Sequence, residues 1–265
     1  MWTIVIATGS VTAIGLLCSI LLVVVSKFMA VTTDERVAFI REALPGVNCG
    51  ACGFSGCDGY SAALVAGGTA VNLCIPGGDL VSRQIGVILD MAPGDDVPMR
   101  VAVVHCIGDT GARREKMEYR GLHSCSAARR LYGGEGACAF GCIGYGECAD
   151  VCPNGAICVE RGLARVDPRK CTGCGLCVKV CPNKVISIED VGIAVAVRCM
   201  STESAASVST KCTVGCIACM RCVKACEAGA ITVNGFLAQI DYTKCTGCGK
   251  CADSCNRGCI KRAVQ

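Results

Sequence analysis

Histidine is almost missing from this sequence, with 2 in 265 residues, and aromatic residues make up only 4% of the chain. So few imidazoles argue against catalytic zinc. The shortage of aromatics removes the bulkiest core material, so the fold must be held by something else. Net charge is only +4, and no clustered basic face gives a footprint for nucleic acid. The short basic runs Arg113-Arg114-Glu115-Lys116 and Arg129-Arg130 read as solvated faces, or as steering for an acidic redox partner. No Gly-x-Gly-x-x-Gly follows a strand pattern, so no dinucleotide site is visible.

What the chain has in excess is cysteine, 27 residues of it. Such a content belongs to disulfide scaffolds or to metal proteins. Disulfide scaffolds are small secreted domains that cannot build a core, whereas this chain is 52% hydrophobic and long enough for two or three domains. Its cysteines fall in tight C-x-x-C runs, which suit metal better than disulfides. Thiolates without histidine point to iron–sulfur clusters.

Charge is also missing from the beginning of the chain, where Lys27 is the first charged side chain. About twenty apolar residues match the thickness of a bilayer. A secretory leader would need a basic start and a small-residue cleavage site, and neither is present. Lys27, Arg36 and Arg41 follow the span, so the positive-inside rule places the rest of the chain in the cytoplasm. Cys18 reads as a packed or lipid-facing thiol and not a ligand.

After the anchor, Thr32 and Glu35 have the spacing of a capping box, and Pro45-Gly46 ends the helix they start. Cys49, Cys52 and Cys57 then lie within nine residues separated by glycines, and Cys74 precedes Ile75-Pro76. Three thiols in a glycine loop can fold round a cubane and turn amide groups toward its sulfides. A helix suggested from Tyr60 to Ala66 delivers Cys74 as fourth ligand.

The most informative feature is a repeat. Nine cysteines recur at an offset of 74, pairing Cys125 with Cys199, Cys138 with Cys212, Cys142 with Cys216, Cys148 with Cys222 and Cys152 with Cys226. Cys171, Cys174, Cys177 and Cys181 pair likewise with Cys245, Cys248, Cys251 and Cys255. Each unit carries the bacterial two-cluster pattern, in which the fourth cysteine of each run binds the other cluster. That assigns Cys216, Cys219, Cys222 and Cys255 to one site, and Cys245, Cys248, Cys251 and Cys226 to its partner. In the first unit Cys171, Cys174, Cys177 and Cys152 form one site. The other is irregular, because Tyr145 stands where Cys219 has its equivalent; Cys138, Cys142, Cys148 and Cys181 are expected there. Glu227 and Asn256 replace the prolines expected after Cys226 and Cys255. Cys158 and Cys259 read as buried thiols. His105 and His123 read as satisfied structural histidines. Whether Cys106, Cys125, Cys199 and Cys212 bind a further cluster stays open, Cys106 following a short apolar strand at Val101–Val104.

The fold class is therefore α+β, with a single N-terminal transmembrane helix (1–27), a small 4Fe–4S domain (28–92), a connecting segment (93–124) and tandem ferredoxin units (125–198 and 199–265). About five [4Fe–4S] clusters are expected.

With the anchor, the Cys-Gly-Ala-Cys-Gly-Phe-Ser-Gly-Cys module and the tandem ferredoxins together, the chain resembles the B subunits of the Rnf ion-translocating oxidoreductases over essentially its whole length. The resemblance implies a complex in the bacterial cytoplasmic membrane that couples electron flow between ferredoxin and NAD to movement of Na⁺ or H⁺. It implies soluble ferredoxin as electron donor, and membrane and flavin subunits as partners, together with lipid. This chain alone would be an electron carrier, since its single span holds no charge that could conduct ions. Two other roles fit the same residues: a related complex that keeps a redox-sensing regulator reduced, and an anchored polyferredoxin serving another oxidoreductase.

Overall fold

Twenty-seven consecutive residues near the N-terminus, apolar on every side, form the longest helix of the computed structural model, α1 (Trp2–Phe28). The structure describes residues 2–28, 34–92, 97, 99–192 and 194–262. Within α1, Thr8–Lys27 has a mean hydropathy of 2.3 and none of it is buried against protein, and it is the one helix among the described residues long and apolar enough to cross a membrane. At 1.5 Å per residue α1 is about 40 Å long, more than the roughly 30 Å hydrocarbon layer requires. Cys18 is exposed on it.

Helices α2 (Glu35–Ala43), α3 (Cys57–Ala66) and α4 (Gly78–Leu89) form the first globular module. Thr32 lies outside the described residues; the cap observed is Asp34, whose carboxylate accepts from the Arg36 amide at 2.9 Å. Ile40, Leu44, Tyr60, Leu64, Val71 and Ile85 are buried together between these helices.

Two ferredoxin units follow. The strand β1 (Arg100–Val104) precedes α5 (Cys125–Arg130), α6 (Glu147–Asp150), the hairpin β2 (Ile157–Glu160) and β3 (Leu163–Val166), α7 (Leu176–Val180) and β4 (Ile186–Asp190). The second unit has β5 (Val195–Val197), α8 (Ala205–Lys211), α9 (Arg221–Lys224), the hairpin β6 (Ile231–Asn234) and β7 (Leu237–Ile240), α10 (Lys250–Asp253) and β8 (Ile260–Arg262). Among the described residues the four sheets are each two-stranded and antiparallel. Strands this short are marginal by themselves. They survive because each hairpin turns Ile157 and Ala164, or their equivalents Ile231 and Ala238, into a small core shared with cysteines.

The connecting segment is stitched into both units. Its strand β1 pairs with β4, with Val104 opposite Ile186. Farther along, Arg114 N–H donates to Lys211 O and Thr213 N–H to Ala112 O, both at 2.8 Å. Arg113, expected on a solvated face, instead sends Nη1 to the carbonyl of Cys142 at 2.6 Å. A long side chain whose five donors fan out is well suited to gathering carbonyls from a glycine-rich loop.

Candidate iron–sulfur sites

Glycines make the first thiol nest. Gly50 and Gly53 have φ of +68° and +88°, left-handed values that let the backbone curl between Cys49, Cys52 and Cys57. Asn48 Oδ1 accepts from the Cys57 amide at 2.8 Å and fixes the start of α3. The fourth thiol, Cys74, is placed by Tyr60, whose hydroxyl donates to Ala70 O at 2.7 Å and accepts from Leu73 N–H at 3.3 Å. Burial pushes the Cys74 thiol up to about 11, and Cys57, Cys49 and Cys52 beside it push the same way. The structure brings these four together.

In the first ferredoxin unit Cys174 lies among Cys49, Cys152 and Cys171, and Cys177 beside Cys171 and Cys174. The Ala102 amide donates to Cys171 Sγ and the Ala156 amide to Cys152 Sγ, each at 3.3 Å. In the second unit Cys226, Cys245, Cys248 and Cys251 line one cavity, and Ala230 N–H donates to Cys226 Sγ at 3.3 Å, as its equivalent does in the first. Cys216, Cys219, Cys222 and Cys255 line another. Burial raises the Cys222 thiol to about 11, and the nearby Cys216, Cys219 and Cys255 push the same way.

The irregular site departs from the sequence expectation. Cys142, Cys148 and Cys181 share a cavity with Cys125, whereas Cys138 lines the neighbouring one. The hydroxyl of Ser124 caps α5 by accepting from Ala127 N–H at 3.2 Å. Glu147 accepts from Ser126 N–H at 3.0 Å and from its hydroxyl at 2.8 Å. This ties the start of α5 to that of α6 and sets Cys125 beside Cys142 and Cys148. Spacing could not reveal it, because Cys125 lies outside the run.

Other cysteines divide clearly. Cys259 is 2% exposed and 3.5 Å from Cys255 Sγ. Its S–H faces Cys216, which keeps Cys259 protonated and draws the Cys216 thiol below its ordinary range. Cys158, expected to be buried, is exposed, on the outward face of β2. His105 is satisfied, with Nδ1 2.7 Å from Val197 O and Nε2 2.6 Å from Ser187 Oγ. His123 rests against the Tyr145 ring at 5.3 Å. Glu227 is paired with Lys250, so its negative charge is compensated at the surface.

The donors fit a polynuclear thiolate-bound group. In a mononuclear site all four sulfurs lie about 2.3 Å from one centre. Among the described residues no three groups close in tightly enough to hold one ion; the sulfurs stand round a space instead. Backbone amides aimed at sulfur complete the cradle, as iron–sulfur sites require.

Comparison with known proteins agrees with that chemistry. Residues 44–76 match an Fe–S cluster family, residues 164–187 the 4Fe-4S binding domain and residues 215–259 the 4Fe-4S dicluster domain. The chain is 40% identical over 99% of its length to the B subunit of the Na(+)-translocating ferredoxin:NAD(+) oxidoreductase complex of Acetobacterium woodii, covering 79% of that protein. It is 38% identical over 100% of its length to the B subunit of the proton-translocating ferredoxin:NAD(+) oxidoreductase complex of Clostridium ljungdahlii, covering 94%. Identity to the B subunit of the ion-translocating oxidoreductase complex of Methanosarcina acetivorans is 37%, over 94% of each chain. An apolar N-terminal helix, an iron–sulfur module and tandem ferredoxin domains, with nearly the full length of this chain aligned to these relatives, make the chain a member of the family of Rnf B subunits of ion-translocating oxidoreductases.

Proposed function

We propose that this chain is the electron-relay subunit of a membrane-bound, ion-translocating ferredoxin:NAD oxidoreductase, taking electrons from soluble reduced ferredoxin and passing them to flavin-bearing and membrane partners. One observation carries the reading: successive thiol quartets adjoin, Cys174 lying beside Cys49 of the module that follows α1 and Cys177 beside Cys148. Each [4Fe–4S] cluster, when bound, supplies a one-electron carrier whose potential is set by hydrogen bonds, charge and burial. Cys49, Cys52, Cys57 and Cys74 would hold the first. Cys152, Cys171, Cys174 and Cys177 would hold the second, and Cys125, Cys142, Cys148 and Cys181 the third. The second unit would use Cys216, Cys219, Cys222 and Cys255, then Cys226, Cys245, Cys248 and Cys251. Buried thiols raised to about 11, such as Cys142, Cys148 and Cys177, must release protons when iron binds; the amides around them favour the thiolate form.

The helix α1 would cross the membrane once, with Lys27 at its cytoplasmic end. Inverted membrane vesicles carrying the native complex test the function. Reduced ferredoxin should drive NAD reduction together with uptake of Na⁺ or H⁺, and a collapsed ion gradient should change the rate. Ferredoxin oxidation without NAD reduction or ion uptake would favour a carrier serving another acceptor.

A further inference from the structure

The five quartets leave seven cysteines, and four of them meet. Cys106, Cys138, Cys199 and Cys212 line a single cavity between the two ferredoxin units. A methyl group added to Gly108 would lie 3.2 Å from Cys212 Sγ and 3.9 Å from Cys106 Sγ; one added to Gly141 would lie 3.7 Å from both Cys106 Sγ and Cys138 Sγ. Cys199 is a near neighbour of Cys106 and of Cys138.

The four are two equivalent pairs. Val104 of β1 faces Ile186, and Val197 of β5 faces Ile260, the residue 74 positions on from Ile186. The next residue in each strand donates its amide to the corresponding carbonyl, His105 to Val185 and Arg198 to Cys259, both at 2.6 Å. Cys106 and Cys199 come next. So the structural counterpart of Cys199 is Cys106, and not Cys125, with which it shares the sequence offset. Cys138 and Cys212 are equivalent by the offset itself.

The surroundings obey the same two-fold relation. Cys106 Sγ faces the amides of Cys142 and Gly108, and Cys199 Sγ those of Cys216 and Ser201, with Cys216 N to Cys199 Sγ at 3.3 Å. His105 Nδ1 reaches Val197 O while Arg198 Nε donates to Val104 O, each unit gripping the strand of the other. Asn183 Nδ2 donates to Gly141 O at 2.6 Å and its counterpart Arg257 Nε to Gly215 O at 3.2 Å. Four cysteines, equivalent two by two and cradled by equivalent amides, are more than leftover packing thiols.

We propose that Cys106, Cys138, Cys199 and Cys212 hold a sixth [4Fe–4S] cluster on the pseudo-two-fold axis between the ferredoxin units. The position bridges two otherwise separate pairs, since Cys106 neighbours Cys142 of the first unit and Cys199 neighbours Cys216 of the second. Transfer through it moves one electron at a time, the neighbour on one side being oxidised as this cluster is reduced, with no bond or proton exchanged. The six quartets account for every cysteine of the 27 except Cys18, Cys158 and Cys259. The inference rests on reading the quartets as cluster sites, but not on the ion-translocating role.

Iron and acid-labile sulfide in anaerobically purified full-length protein decide it. About 24 of each per chain are expected, in contrast to about 20 for five clusters. Cys106→Ala, Cys199→Ala and their double variant should each lose about four irons, the double no more than either single one, and Cys158→Ala should lose none. A wild-type protein with about 20 irons, or a double variant with undiminished iron, overturns the sixth site while leaving the other five. One zinc per chain beside about 20 irons overturns it as well. Protein without iron altogether would instead bring down the cluster reading as a whole. The wild-type count decides even where a variant fails to fold.

Discussion

A single substitution, Tyr145 where the second unit has Cys219, reorganises one site. Its ring packs against Tyr119 at 5.9 Å and against His123 at 5.3 Å, and the fourth sulfur lining the cavity of Cys142, Cys148 and Cys181 is that of Cys125, at the start of α5. Cys148→Ala should therefore remove one cluster, about four irons, and Cys125→Ala should remove the same one. The Cys125→Ala, Cys148→Ala double variant should lose no more iron than either alone, whereas Cys138→Ala combined with Cys148→Ala should lose about eight. Iron and sulfide assays on the purified variants separate the two cases. The regular runs were legible in the sequence because C-x-x-C spacing is local and any loop that follows it nests its thiols. Cys106 and Cys125 were not, because each reaches its partners across a long separation that spacing does not encode. A run of extra residues between Cys106 and Cys138 also breaks the 74-residue offset that identifies the other equivalents. Cys158 failed for a different reason: on a four-residue strand, neither the inward nor the outward alternation is long enough to read.

At the scale of elements, the first module shows what replaces a large aromatic core. Three helices close round Tyr60, 1% exposed, whose ring stacks at a tilt on Phe54 with centroids 5.4 Å apart. Its hydroxyl satisfies two backbone groups of the turn that carries Cys74. Tyr60→Phe keeps the ring and leaves Ala70 O and Leu73 N–H unpaired, so the module should lose about 1–2 kcal/mol. Anaerobic denaturant titration of the cluster-loaded protein measures this, and faster iron release to a chelator should accompany it. The helices α2 and α3 were foreseeable from the apolar residues and the Pro45-Gly46 stop. The pairing of β1 with β4 was not, for an isolated apolar pentapeptide does not name its partner. The basic run at Arg113 misled for the same reason: charge in sequence reads as surface, while here a guanidinium is consumed by the carbonyls of Cys142, Ile143 and Gly162.

Taken as a whole, the chain lines up its thiol quartets in sequence, from Cys49 beside Cys174, through Cys177 beside Cys148, to the junction at Cys106 and on to Cys216. If the junction carries current, the Cys106→Ala, Cys199→Ala protein should split into two electrically separate halves. Under rapid freeze-quench, electrons from reduced ferredoxin should appear in the EPR signals of only one half, while dithionite still reduces both. Equal filling of both halves at the wild-type rate would show that current takes another route.

The paired strands at that junction have a consequence for how the molecule can be taken apart. No cut between the repeats yields two self-sufficient ferredoxins, because each would keep two widowed sulfurs and a strand end that had been clasped by its twin. The duplicated halves are thus indivisible, a single conductor whose splice is built from both copies.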